Sequence, residues 1–182
     1  FVCNKTNPIG IIFPSQALSQ QWSERNLHAG LEGCKPIERF ITGRIDDIRR
    51  SEFTFKSCNL KVIGGGSANK LSSNNICYLF IDEVDKMESF LNEANVVELA
   101  IDRTISYQES GAAMILMGST PTLKDSSEIE KHYEEGTRCK FHVPCPSCGL
   151  HQELVFGQVK WNSDKDQDGE RNLAQAEATT FY

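Results

Sequence analysis

The sequence predicts a three-layer α/β domain on a mainly parallel sheet over residues 1–136, followed by a small Cys-containing β appendage over residues 137–182. Three observations carry this. Apolar or β-branched runs at residues 9–13, 76–81 and 112–117 read as strands, and each leads into a segment with helical periodicity. The runs at 76–81 and 112–117 are apolar at every position, the pattern of strands covered on both faces. Beyond Gly136 the alternation stops and a tract rich in Cys, His and Pro begins.

The elements follow in order. Ile9-Gly10-Ile11-Ile12-Phe13 is a strand stopped by Pro14, and Ser15 caps a helix carrying Ala17, Leu18, Trp22 and Leu27. Residues 53–58 and 60–63 alternate apolar with polar around Ser57-Cys58-Asn59, which predicts a hairpin, and Gly64-Gly65-Gly66 closes it as a turn. The strand at 76–81 runs directly into Asp82-Glu83. A helix over 95–106 comes next, with Val96, Leu99, Ala100 and Ile105 facing inward. The buried strand at 112–117 ends in Gly118-Ser119-Thr120-Pro121-Thr122. Ser127-Glu128-Ile129-Glu130 then matches a capping box, and Gly136 stands where a C-terminal cap would end that helix. Ligands of parallel sheets collect at the carboxyl ends of the strands. Those ends here are Pro14-Ser15, Asp82-Glu83 and Ser119-Thr120.

Composition narrows the class. A chain of 182 residues buries roughly 70% of its unfolded surface, enough for a core without disulfide staples. With 39% hydrophobic and 24% charged residues it is neither disordered nor fibrous. A net charge of −6 excludes a surface that clamps nucleic acid over its whole extent. The apolar runs fall far short of the ~20 residues of a membrane helix, and the N-terminus lacks a basic region followed by an apolar core. A soluble, unsecreted chain is expected. Seven cysteines, five of them isolated, fit a reducing compartment better than a disulfide framework. The start at Phe1, without Met, suggests a fragment.

The sharpest chemical constellation is Leu79-Phe80-Ile81-Asp82-Glu83-Val84-Asp85. An apolar strand feeding into two acids holds both carboxylates rigid where water and ligand reach them. In nucleoside triphosphatases the first acid, here Asp82, orients the magnesium that bridges β- and γ-phosphates. The second, Glu83, can polarise the attacking water, an effect typically of ~10²–10⁴ in rate. Read alone, the pair is also an ordinary solvated strand exit. Ser119-Thr120, one helix further on and at the same edge, can hydrogen-bond a γ-phosphate-bound water and the neighbouring acids. Its plain reading is a turn.

Together these motifs resemble the large terminase subunit of lambda-type tailed phages. The resemblance rests on Ile-Ile-Phe-Pro-Ser-Gln before a Trp-containing helix, Phe-Ile-Asp-Glu-Val-Asp, Glu98-Leu99-Ala100-Ile101-Asp102-Arg103-Thr104, Gly-Ser-Thr-Pro-Thr, Ile129-Glu130-Lys131-His132-Tyr133 and Val143-Pro144-Cys145-Pro146-Ser147-Cys148-Gly149, and covers nearly the whole chain. It implies a P-loop NTPase-like core and a motor that uses ATP and Mg²⁺ to package double-stranded viral DNA. In the whole protein an endonuclease domain cuts that DNA. By the same resemblance Asp82 would hold magnesium, Glu83 would be the catalytic carboxylate, and Ser119 with Thr120 the coupling motif. Pro14-Ser15-Gln16 would lie near DNA or nucleotide. The implied partners are DNA, a small terminase subunit, the portal protein and sibling subunits, in the cytoplasm of an infected or lysogenic bacterium.

The departures are equally specific. No G-x-x-x-x-G-K-[ST] occurs; Gly64-Gly65-Gly66-Ser67 has no Lys directly after it, and Lys70 lacks a strand-to-helix context. The family's phosphate loop is expected before Phe1 and its nuclease acids beyond Tyr182, so the fragment alone is expected to hydrolyse ATP poorly. Cys145-Pro146-Ser147-Cys148-Gly149 offers two thiolates to a zinc ion, half of the four that a structural site needs. The resemblance puts a second CxxC just past Tyr182. Cys139, His142 and His151 are the local candidates to complete the shell, and free thiols on a hairpin are the plain reading. Asp164-Lys165-Asp166-Gln167-Asp168-Gly169 begins like a calcium loop but has Gln175 at the twelfth position. Arg44, Arg49, Arg50 and Arg103 read as surface or ion-paired residues before they read as phosphate ligands. Two rivals share parts of the pattern: a superfamily 2 helicase-like ATPase, and a non-catalytic zinc-ribbon nucleic-acid-binding module.

Overall fold

The computed structural model describes residues 2–3, 5–65, 71, 74–87, 95–123 and 126–155. The chain divides into two compact units, Phe1–Glu135 and Gly136–Tyr182. The first is a mixed α/β structure whose strands are β1 (Ile9–Phe13), β2 (Glu52–Thr54), β3 (Asn59–Gly64), β4 (Tyr78–Asp82) and β5 (Met114–Gly118). They form one sheet in the order β2-β3-β1-β4-β5. β1 runs parallel to β3 and β4, and β4 parallel to β5; only β2 is antiparallel, in the expected hairpin with β3.

Side-chain alternation splits the apolar residues between the two faces of this sheet. Ile9 and Phe13 of β1, Leu60 and Val62 of β3 and Tyr78 of β4 enter one cluster with Phe53 and Leu31. Ile12, Ile63, Leu79 and Ile81 enter a second with Val96, Val97 and Ala100. Ile12, Leu79 and Ala100 are 0% exposed. Each fully buried aliphatic side chain of the size of Leu or Ile contributes about 1.5–3 kcal/mol, so the central strands are the most firmly held part of the unit.

The helices depart from expectation where hydroxyl side chains intervene. Helix α1 (Gln16–Trp22) starts as the sequence says, with the Leu18 N–H donating to Ser15 Oγ at 3.2 Å. It continues through a π-helical turn at Ser23–His28 into α2 (Ala29–Gly33), and α3 (Lys35–Glu38) follows. Leu18 is 45% exposed, while Ser19 and Ser23 are fully buried. Their hydroxyls donate to the carbonyls of Gln16 and Arg50 at 2.8 and 2.6 Å, which lets small polar residues occupy the packed face without an unpaired group. The continuous helix expected over 95–106 is two pieces, α4 (Val96–Asp102) and α5 (Ile105–Gln108). Thr104 at the break is fully buried; its hydroxyl donates to the Ile101 carbonyl at 2.7 Å and accepts from the Gln108 amide at 2.8 Å. Ile105, expected inside, is 54% exposed in consequence.

Helix α6 (Glu128–Glu135) has the predicted cap, with the Glu130 N–H donating to Ser127 Oγ at 3.2 Å. It ends before Gly136 as expected, but the left-handed residue is Arg138, with φ 51°.

Two strand expectations need correction. The run at 112–117 is not a buried strand: β5 is the outermost strand of the sheet, none of its residues is buried, and Leu116 is 58% exposed. Met114, Leu116 and Gly118 share one face of the strand, and that face is exposed. Nor is Gly64 a turn residue. It is the last residue of β3, in register with Phe13, and the Gly65 N–H donates to the Phe13 carbonyl at 2.7 Å. A Cβ at 64 would stand 2.4 Å from the backbone of Gln16, so glycine is what lets the first turn of α1 sit against the sheet. Gly66, Ser67, Lys70 and the acidic 164–169 loop lie outside the described residues.

In the second unit β6 (His142–Pro144) and β7 (His151–Glu153) form an antiparallel hairpin closed by Cys145-Pro146-Ser147-Cys148-Gly149. Among the described residues no helix is long and apolar enough to cross a membrane.

Gly64→Ala tests the close approach. It should destabilise the chain by about 1–3 kcal/mol through overpacking against backbone that cannot rotate away. Gly30→Ala, in α2 with nothing within 4 Å of the added carbon, should stabilise it by about 0.5–1 kcal/mol through helix propensity. Urea midpoints moving in the same direction for both variants would refute the packing argument.

Candidate nucleotide site at the sheet edge

Parallel pairing brings the carboxyl ends of β1, β3, β4 and β5 to one edge. From β1 the chain passes to β3 on one side; from β4 it passes to β5 on the other. The crevice between the ends of β1 and β4 is therefore the topological switch point, where open α/β sheets hold their ligands. A cavity of about 340 Å³ lies there, walled by Phe13, Pro14 and Trp22 on the β1 side and by Asp82, Glu83 and Lys86 on the β4 side. Arg25, from the π-helical turn after α1, also lines it.

Asp82 is the last residue of β4 and is exposed, and its carboxylate accepts the Glu83 N–H at 3.1 Å. Glu83 has φ 55° and ψ 49°, a left-handed conformation. For a residue with a Cβ this costs on the order of 1–3 kcal/mol, and such strain collects at functional sites. Its Oε1 pairs with Lys86 Nζ at 3.0 Å, whereas Oε2 is buried with no hydrogen-bond partner among the described residues. A carboxylate oxygen shielded from water and left unpaired is destabilising unless a donor arrives.

The register between β4 and β5 sets Asp82 opposite Gly118, which brings Ser119 beside the residues that follow Glu83. Ser119 Oγ accepts the Asp85 N–H at 3.1 Å and is within 3.2 Å of the Thr120 carbonyl. Thr120 is exposed, and no bond of its hydroxyl is seen among the described residues; the threonine in contact is Thr122. Asp85 Oδ2 accepts the Thr122 N–H at 2.9 Å and its hydroxyl at 3.1 Å, while Oδ1 accepts the Ile129 N–H in the first turn of α6 at 2.9 Å. Desolvation alone would raise the Asp85 pKa. The hydrogen bonds from the Ser127 hydroxyl, the Ile129 and Thr122 amides and the Thr122 hydroxyl outweigh it and bring the carboxyl from 3.8 down to about 2.

Other sequence candidates lie elsewhere. Gln16 does not line the Asp82–Glu83 cavity; it lines a separate polar one of about 170 Å³ with Glu52, Lys61 and Asn74. Its neighbours Gln21 and Asn26 reach the acidic cavity instead. Arg50 pairs with Glu24 at 2.5 Å, Arg49 donates to the Asp46 carbonyl at 3.0 Å and Arg103 to the Leu99 carbonyl at 3.3 Å. Asp85 and Thr122 were missed as partners because nothing in a linear motif marks which acid after a strand tip turns back into the protein. The capping-box spacing at Ser127 was the available signal that a helix begins within reach.

In the second unit the Cys148 and Ser147 amides, then the Cys148 thiol, hydrogen-bond Cys145 and lower its pKa. The Cys145 N–H pairs with the Leu150 carbonyl at 2.8 Å, and Gly149 has φ 74°. Among the described residues no group of three or more Cys, His, Asp or Glu side chains is placed to hold a metal, so Cys139, His142 and His151 do not complete a shell around Cys145 and Cys148.

Comparison with known proteins identifies the family. The family model described as phage terminase large subunit gpA, ATPase domain, matches residues 1–180. The large terminase subunit of Enterobacteria phage P21 is 30% identical over 112 residues, 58% of this chain and 17% of that protein. The large terminase subunit of Escherichia phage lambda is 27% identical over 109 residues, 56% of this chain and 17% of that protein. The matched stretch is thus about a sixth of each relative's length.

The Asp85 network predicts an acid dependence with a defined sign. A carboxyl whose folded pKa is depressed adds stability that is complete above its unfolded value of 3.8 and is lost as pH falls through about 2. Asp85→Asn should lower the unfolding midpoint at neutral pH and flatten its decline across that acid window. A decline as steep as that of the unaltered chain would contradict the assignment.

Proposed function

Because the chain belongs to the phage terminase large-subunit gpA ATPase-domain family, we propose that it is part of the ATP-driven motor that packages double-stranded viral DNA. In this proposal ATP is hydrolysed in the crevice between β1 and β4. The observation that carries this reading is the coincidence, at the switch point of a parallel sheet, of Asp82 at the strand end and a strained Glu83 with one buried oxygen that has no partner among the described residues. A structural strand exit has no need of that strain; a carboxylate that must receive a water does.

In this reading the Asp82 carboxylate, exposed and free to face a hydrated cation, would hold Mg²⁺. When bound, magnesium neutralises charge developing on the transferring phosphate. Glu83 orients and polarises the attacking water, and its ion pair with Lys86 at 3.0 Å holds one carboxylate oxygen in place. Ser119, held by the Asp85 amide, and Thr120, exposed at the same edge, face the γ-phosphate side and couple hydrolysis to movement. Gln16 stands outside this crevice and is assigned no contact with nucleotide.

The motor as a whole works on double-stranded DNA with sibling subunits, a small terminase subunit and the portal protein, in the bacterial host cytoplasm, and its endonuclease activity lies outside this chain. The phosphate loop is likewise supplied by another part of the full-length protein, so the 182-residue chain by itself turns over ATP weakly. Cys145 and Cys148 provide two thiolates, half of a structural zinc shell, and residues 156–182 hold no Cys or His. A zinc ion at this hairpin would need two further ligands from elsewhere.

Turnover by the full-length protein tests the reading. Glu83→Gln should reduce ATP hydrolysis by roughly 10²–10⁴ while ATP still binds. Asp82→Asn should weaken the magnesium dependence. Turnover by the Gln variant within a few-fold of the unaltered protein would refute the assignment of Glu83.

A further inference from the structure

We propose that Asp85 is the positioning residue of this site. It locks the Asp82–Glu83 tip of β4, the loop that leaves β5 and the start of helix α6 into one rigid assembly, with Thr122 rather than Thr120 as its partner on the loop. The inference rests on the ATPase reading above and names what holds that site in register.

The geometry is reciprocal. The Asp85 N–H donates to Ser119 Oγ at 3.1 Å, so the segment after Glu83 is tied to the first residue of the β5 exit. Its side chain returns to the same loop three residues further on, taking both the N–H and the hydroxyl of Thr122 at 2.9 and 3.1 Å. The other carboxylate oxygen accepts the Ile129 N–H at 2.9 Å in the first turn of α6, whose remaining cap comes from Ser127. One side chain thus joins three segments separated by 37 and 44 positions in sequence. A carboxylate on the first turn of a helix also meets the positive end of the helix dipole.

The lock matters because Glu83 is strained. The residues directly after it, Val84–Lys86, form a single 3₁₀ turn, and Asp85 is the middle one. With Asp85 anchored on the loop and on α6, this turn cannot relax and carry Glu83 out of its left-handed conformation. Val84, fully packed in the second core cluster, anchors the same turn from the sheet side. A displacement of the β5 exit loop is, through the same bonds, a displacement of Glu83. Asp85 touches no reacting atom in this scheme; it acts by holding groups that do.

The test uses full-length protein with ATP and double-stranded DNA. Asp85→Asn leaves one acceptor where two are needed, and Thr122→Val removes the hydroxyl but keeps the amide. Each should lower kcat, by about tenfold to a hundredfold for the Asn variant, as small misplacements of reacting groups do. KM for ATP should stay within about twofold, because neither residue lies in the nucleotide's reach. The double variant should be no slower than Asp85→Asn alone, since both changes cut one link. Circular dichroism at the assay temperature gives the folded fraction, and kcat is expressed per folded molecule. A normal kcat per folded molecule in either variant, or losses that multiply in the double variant, would overturn the proposal. If Asp85→Asn does not fold, Thr122→Val decides alone. If Glu83→Gln itself leaves hydrolysis intact, the ATPase reading has failed; if it abolishes hydrolysis while these variants turn over normally, only the role of Asp85 has failed.

Discussion

The parallel register of β4 between β1 and β5 is the constraint on which the rest depends. It fixes Asp82 opposite Gly118 and Ile81 opposite Ile12. Three exits therefore open on one edge, Pro14, Asp82 and Ser119, although they lie far apart in sequence. A slip of one residue in β4 would exchange Leu79 and Ile81 for Tyr78 and Phe80 between the two cores and carry the acids to the wrong face. The fully buried Leu79 and the near-buried Ile81 make such a slip expensive, so packing and site geometry are enforced by the same side chains.

At that edge the candidate site is assembled by short-range devices. Lys86 holds one oxygen of Glu83, the left-handed backbone turns its side chain, and Asp85 fastens the following turn to a loop and a helix. Gly64 makes a second contribution by letting the first turn of α1 lie against the sheet, which brings Trp22 and Arg25 to the opposite wall of the crevice. A strained carboxylate with neighbours that cannot relax is preorganised, and preorganisation is where most electrostatic catalysis originates.

Much of this was legible in the residues themselves. Ser15 and Ser127 announce their helices because an N-cap hydroxyl acts within three residues, and Asp82-Glu83 announce a strand tip because the preceding run is wholly apolar. The features that were not legible depend on what lies across the fold. Ala112 to Met117 reads as a covered strand, yet whether anything packs on each face is decided by the fold and not by composition. Ser19, Ser23 and Thr104 carry no signal of burial in the sequence, because their hydroxyls are satisfied by carbonyls that hydrophobic periodicity does not register. The role of Asp85 is hidden for the same reason: its partners are 37 and 44 residues away.

The central claim is that nucleotide enters the crevice between β1 and β4 with its terminal phosphate at Asp82 and Glu83. A crystal structure of the full-length protein with Mg²⁺ and a non-hydrolysable ATP analogue tests it most directly. The account predicts the metal on the Asp82 side and a water between Glu83 and the γ-phosphate. Nucleotide bound at another edge of the sheet, with both carboxylates facing solvent, would contradict it.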